Sequence, residues 1–269
     1  MSGEVVFVGI APHPPLLVPA IGKEKIAQVQ DSVNALNKFA SQIIRTNPDT
    51  VVIISPHSPA TSEAFGAFSN KTLIGDFHQF GCKQVSLSFP NDLELLAELD
   101  KTTKENQIPF NPFFNEYLLD HGVLVPMYYL WQAGWQGQVL ALSFSALSIE
   151  SHIQFGEACQ QAAKSLGRKI AFVASADLSH YLSLNGPYHF EPVAHLFDKQ
   201  ICEAIKQKNL SSIINVDQNL RHKAGECGYR SILVAIGVAG KENLSTKLLA
   251  YECPFGVGYM TAILKEKIT

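Results

Sequence analysis

The run Val5-Val6-Phe7-Val8-Gly9-Ile10-Ala11-Pro12-His13 decides the fold. It is short, rich in β-branched residues and apolar without alternation. It therefore reads as a strand buried on both faces. Residues 50–55, 138–144, 169–175 and 246–251 repeat the pattern, each bounded by Gly, Pro, Ser or polar residues. Residues 257–264 are expected to pair with the run at 246–251. Helical periods fill the intervals. Over 23–45, Ile26, Val29, Val33, Leu36, Phe39, Ala40 and Ile43 recur by steps of three and four, and 91–105, 119–131, 149–166, 193–208 and 228–238 read the same way. Strands alternating with helices predict an α/β fold: a single domain over residues 1–269, with a mostly parallel central sheet flanked by helices on both faces.

Composition narrows the classes. With 46% hydrophobic residues in 269, the chain carries enough apolar mass to offset the entropy of ordering. A formal charge of −3 supplies no basic excess for nucleic acid, so no nucleic-acid partner is expected. No apolar run approaches the roughly 18 residues of a membrane span, and the first residues lack a signal-peptide pattern, so a soluble, cytoplasmic protein without a membrane partner is expected. Five scattered cysteines without a CxxC pair argue against a disulfide or zinc-ribbon framework. Nine histidines are the compositional oddity.

In open α/β sheets, ligands bind beyond the carboxyl ends of the strands. Two strands end there on a histidine between prolines: Ala11-Pro12-His13-Pro14-Pro15 and Ser55-Pro56-His57-Ser58-Pro59. Proline stiffens its own φ and restrains the residue before it, so each imidazole is held on rigid backbone. Either histidine alone could be a turn residue stacked on proline; two at equivalent places point to one metal site. A third strand ends Ser175-Ala176-Asp177-Leu178-Ser179-His180. Asp177 there is a helix cap or part of the chemistry, and His180 is a candidate acid/base titrating near neutral pH. Asp120-His121-Gly122 opens a helix, with Asp120 as its expected cap and His121 beside it. Glu226, in Gly225-Glu226-Cys227-Gly228, can supply an oxygen ligand or cap the helix that follows. His152 and His195 read as solvated helix-face residues, and His189 as a possible wall of the His180 loop.

Two histidines and one carboxylate around open positions constitute the ligand set of non-haem Fe(II) oxygenases, though these donors suit Zn and Mn equally.

Four strings in order, Ala-Pro-His-Pro-Pro-Leu-Leu-Val-Pro (11–19), Ser-Pro-His-Ser-Pro (55–59), Asp-His-Gly-Val-Leu-Val-Pro-Met (120–127) and Ser-Ala-Asp-Leu-Ser-His (175–180), resemble the class III extradiol ring-cleaving dioxygenases, the superfamily of the catalytic B subunit of protocatechuate 4,5-dioxygenase. The tail, Gly-Glu-Cys-Gly-Tyr-Arg-Ser-Ile (225–232) and Tyr-Glu-Cys-Pro-Phe-Gly-Val-Gly-Tyr (251–259), is closer to the Memo-like branch. The resemblance runs from residue 4 to about 264.

It implies a non-haem Fe(II) enzyme that cleaves a catechol-type ring with O2, and a homo-oligomer. By position, His13 and His57 would be metal ligands and His180 the acid/base. His121 would serve beside the substrate, with Asp177 in the catalytic set. Glu226 is the expected third ligand, with Cys227 as its alternative and Glu252 behind both. A thiolate at 227 would favour a softer ion such as copper or zinc. Phe113, Phe114 and Tyr181 are ring-stacking candidates, and Arg230 and Lys223 could anchor a substrate carboxylate. A metal-dependent hydrolase on the same ligands and a Memo-like redox or accessory protein are the competing readings.

Overall fold

The computed structural model describes residues 3–113, 118–240 and 244–267. In chain order the elements are β1 (Glu4–Ala11), α1 (Pro19–Gly22), α2 (Gln30–Arg45), β2 (Thr50–Ser55), β3 (Phe65–Phe68), β4 (Thr72–Phe77), β5 (Cys82–Pro90), α3 (Leu93–Glu105), β6 (Phe110–Phe113), α4 (His121–Gln132), β7 (Gln138–Ser143), α5 (Ile149–Ser165), β8 (Lys169–Ser175), α6 (Ala194–Lys206), α7 (Leu210–Ile214), α8 (Gln218–Ala224), α9 (Tyr229–Ala239), β9 (Lys247–Glu252) and β10 (Tyr259–Glu266). The α/β architecture expected from the alternation is the one observed.

Among the described residues, eight strands form one sheet in the order β6-β3-β7-β2-β8-β1-β10-β9. Its centre is parallel, with β8 between β1 and β2 and β7 beyond β2. The strands predicted at the C-terminal end do pair, as antiparallel β9 and β10, and β10 joins β1 antiparallel. Parallel pairing brings the carboxyl ends of β1, β2 and β8 to one edge. This register is what gathers His13, His57 and Asp177.

Successive residues of each central strand enter opposite cores. Val8, Ile10, Val52, Ile54, Phe172 and Ala174 face the layer of α5, α6 and α9. Phe7, Ala11, Val51, Ile53, Ala171 and Val173 face α2 and α4. Burying a large apolar side chain contributes roughly 1.5–3 kcal/mol, so both faces resist removal of a covering helix. The close approach of α9 to α5 requires Gly156, where an added Cβ would strike the Val234 carbonyl.

Several details differ from the sequence expectation. The predicted helix over 23–45 is regular only from Gln30. Residues Lys23–Val29 form 3-10 turns, and Lys23 has a positive φ of 47°. Four strands between residues 65 and 113 lack a long apolar run. Of these, β4 and β5 form a separate antiparallel hairpin with solvent on one face. His152 is not solvated on a helix face but fully buried. Its ring packs edge-on against Phe65 at 4.9 Å, and its Nδ1 donates to the Ser148 carbonyl at 2.8 Å. No helix among the described residues is long and apolar enough to cross a membrane.

Candidate metal centre

His13 follows β1 and is 1% exposed. Its backbone N–H donates to Asp177 Oδ1 at 2.9 Å, joining the ends of β1 and β8. On the ring, Nδ1 lies 2.8 Å from Ser175 Oγ, whose hydroxyl donates to the Gly122 carbonyl. A hydroxyl has one proton to give, so Ser175 accepts from Nδ1–H. That bond selects the tautomer that leaves a lone pair on Nε2. The same device orients metal-binding imidazoles, whose second nitrogen is held by a hydrogen bond.

His13 Nε2 faces His57 Nε2 at 3.1 Å and Cys227 Sγ at 3.5 Å. These three donor atoms all lie within 4.8 Å of one another. Imidazole and thiolate ligands on one tetrahedral ion at usual bond lengths stand roughly 3.3–3.5 Å apart. The two spacings from His13 Nε2 come close to that value. Cys227 sits just before the start of α9, and its Sγ also approaches the Asp177 carbonyl. Burial first, then the nearby Asp177 carboxyl, holds this thiol well above its ordinary pKa. A bound cation reverses that preference, since a coordinating thiol is deprotonated.

Asp120 fixes the second histidine. Its Oδ1 accepts from Ser55 Oγ at 2.6 Å and from the Gly122 and Val123 N–H groups, and its Oδ2 accepts from Ser58 Oγ at 2.6 Å. Ser55 Oγ in turn accepts from the His57 N–H at 3.1 Å. The expected cap of α4 is thus also a clamp on the loop after β2. Gly122 is required there, because a Cβ would collide with Ser55 Oγ. The clamp sets the His121 ring 4.2 Å from that of His57, centroid to centroid.

His180 leaves the β8 end on backbone bonds, its N–H donating to the Ala224 carbonyl at 2.9 Å. Its Nδ1 is buried, the Gly225 and Leu178 backbone groups lie against the ring, and the ring meets Tyr188 edge-on at 5.3 Å. His13 is lowered well below the ordinary imidazole pKa by burial, then by His57, His121 and His180. Burial lowers His57 and His180 as well, and takes His121 to about 4 with His57 adding to the effect. Neutral imidazoles are the form that binds a cation. Burial pushes Asp177 up to about 7, opposed by the His13 N–H.

The expected third ligand, Glu226, and the further candidate, Glu252, both accept backbone hydrogen bonds elsewhere. Glu226 Oε2 accepts from the Tyr229 N–H at 2.6 Å, capping α9. Glu252 Oε1 accepts from the Ser32 N–H at 2.7 Å, on α2. Asp177 Oδ2 is the nearer acid, 3.6 Å from His13 Nε2.

A pocket of about 490 Å³ opens beside the imidazoles of His57 and His121, walled by Phe80, Leu119 and His78. Phe80, at the tip of the β4–β5 hairpin, meets the His121 ring at 5.3 Å. Sequence reading overlooked this wall, since no motif marks a lone aromatic on a short hairpin. Phe113 packs on Phe68 at 4.8 Å, and Tyr181 stacks on His189 at 3.7 Å. Phe114 lies outside the described residues. Arg230 stands over the Phe144 ring, and Lys223 is exposed in the last turn of α8.

The model of the catalytic LigB subunit of aromatic ring-opening dioxygenase matches residues 8–262. Protein CA_C1420 of Clostridium acetobutylicum is 29% identical over 258 residues, covering 93% of this chain and 55% of that protein. The chain therefore spans about half the length of that curated relative. An uncharacterized protein, JW3007 of Escherichia coli K12, shares the fold with a TM-score of 0.62 at 16% identity. That match covers 86% of this chain and 91% of the other.

Proposed function

The chain belongs to the family of the catalytic LigB subunit of aromatic ring-opening dioxygenase, and on that premise we propose that it is a non-haem Fe(II) extradiol dioxygenase acting on a small catechol-type diol and O2. One observation carries the reading. His13 and His57 bring their Nε2 atoms within 3.1 Å of each other at the sheet edge, beside a pocket lined by His57 and His121.

In this reading His13, His57 and Cys227 hold the ion, with Glu226 capping the helix behind them. Bound there, Fe(II) supplies Lewis acidity and a place for diol and O2 to meet. The chain does the rest. Ser175 keeps the proton on His13 Nδ1, and Asp120 holds His57 and His121 in register. His180, held neutral by burial, takes a proton from a substrate hydroxyl. Asp177 ties the His13 backbone to β8 so that acid/base and ligand groups keep their spacing. Phe80 and His121 line the pocket with aromatic surface for a substrate ring.

A second reading, a Memo-like metal-binding redox or accessory protein, is favoured by the Cys227 thiol at 3.5 Å from His13 Nε2. The two separate on loading with Fe(II) under anaerobic conditions, followed by O2 uptake with catechol as probe. The dioxygenase requires catechol-dependent O2 consumption. Metal binding with no such consumption supports the accessory reading, and zinc-restored turnover indifferent to O2 makes the chain a hydrolase.

A further inference from the structure

Beyond β7, on the side of the sheet covered by α5 and α9, a second pocket of about 390 Å³ opens. Arg221 of α8, Arg230 of α9 and His152 of α5 line it, with the first turn of α5 at its rim. None of the metal-site donors contributes to its wall.

Two features set it apart from an ordinary charged surface. Among the described residues, neither arginine forms an ion pair. Both are instead laid against aromatic rings, Arg221 4.3 Å from the Tyr229 centroid and Arg230 5.7 Å from that of Phe144. Stacking fixes the guanidinium planes while leaving their N–H edges unused. Second, a buried polar atom here lacks a partner: the Arg221 Nε–H. Leaving a buried donor unmade is costly, so such groups call for a ligand. Two acids lie near. Glu150 is exposed on the rim, and Glu226 is turned to the Tyr229 N–H. Neither is within ion-pair distance of the arginines, so both guanidiniums remain open to an anion.

We propose that Arg221 and Arg230 form a binding site for a small oxyanion, carboxylate or phosphate, against the His152 ring and separate from the metal centre. Planar guanidiniums match the paired oxygens of either group. The pocket holds one small molecule. The site does not depend on the ring-cleavage reading and would persist in a chain without that activity.

The test is titration of the full, chelator-treated chain with inorganic phosphate and, separately, with benzoate, at constant ionic strength. Calorimetry reads affinity and proton NMR reads the histidines. Saturable binding is expected, with the His152 ring signals moving and those of exposed His78 and His195 still. Arg221→Gln and Arg230→Gln should each weaken it at least tenfold, and Arg230→Lys less. His57→Ala, outside the pocket, should leave it unchanged. Tighter phosphate identifies a free phosphate ligand, and tighter benzoate the acid group of an aromatic one; either supports the site. Absence of saturable binding by both anions overturns it. So does binding that survives both arginine substitutions, disappears with His57→Ala, or leaves the His152 signals of the unaltered chain in place.

Discussion

His57 Nε2 stands 3.1 Å from His13 Nε2, although β8 lies between the strands that deliver the two residues. Both side chains lean across the end of that strand, so the pair exists only while the β2–β8–β1 register holds. Burial holds both imidazoles neutral, the form in which a histidine can bind a cation.

If His13 is a ligand, its removal costs the ion. His13→Ala should bind less than a tenth of the metal that the unaltered chain retains after dialysis, measured by elemental analysis. His180→Ala should keep full metal content and lose catechol-dependent O2 uptake. Equal metal loss in the two would contradict their separate roles.

Cys227 and Glu226 differ by one residue and are expected to differ in kind. Cys227→Ala should weaken metal binding by an order of magnitude or more, as loss of a direct ligand. Glu226→Ala should keep the metal and cost about 1–2 kcal/mol, as loss of a buried helix cap. Denaturant unfolding with parallel metal analysis reads both. Metal loss on Glu226→Ala without loss on Cys227→Ala would restore the carboxylate as ligand.

Asp120 carries four hydrogen bonds on one carboxylate. Asp120→Ala should cost about 2 kcal/mol or more, lowering Tm by several degrees in thermal unfolding. Metal affinity should fall with it, because His57 and His121 lose their common clamp. Unchanged stability would show that the serines do not depend on it.

Proton linkage at His121 gives a signed pH effect. Unfolded, it takes a proton near 6.5; folded, only at about 4. Between those values the unfolded chain binds more protons, so this residue's contribution is complete above pH 6.5 and is lost as pH falls toward 4. Asp177, raised to about 7, and Glu226, raised by burial, act in the opposite sense. The measurement is thus a difference: with chelator present, His121→Asn should lose less stability than the unaltered chain between pH 6.5 and 4. An equal loss would mean His121 is not held neutral.

Phe80 marks where sequence reasoning stopped. Strand ends after 5–10, 50–55 and 169–175 were legible because buried parallel strands leave long apolar runs, and prolines flag the histidines beside them. The β4–β5 hairpin was not, since an exposed two-stranded ribbon needs only alternating residues and its tip carries no motif. His152 was misjudged for a related reason: periodicity locates the buried face of α5, but not the additional cover from Phe65 and Phe144. Glu226 and Cys227 could not be told apart as ligands from sequence either, because adjacent residues at a helix start point in different directions. Phe80→Ala should raise KM for a catechol several-fold with metal content unchanged.

The most direct measurement is isotopic. The Fe(II)-loaded chain, given catechol and 18O2, should form a ring-opened product carrying both labelled atoms, one product per O2 consumed. A fully loaded chain that leaves the ring closed, or a product labelled from water alone, would contradict the dioxygenase account.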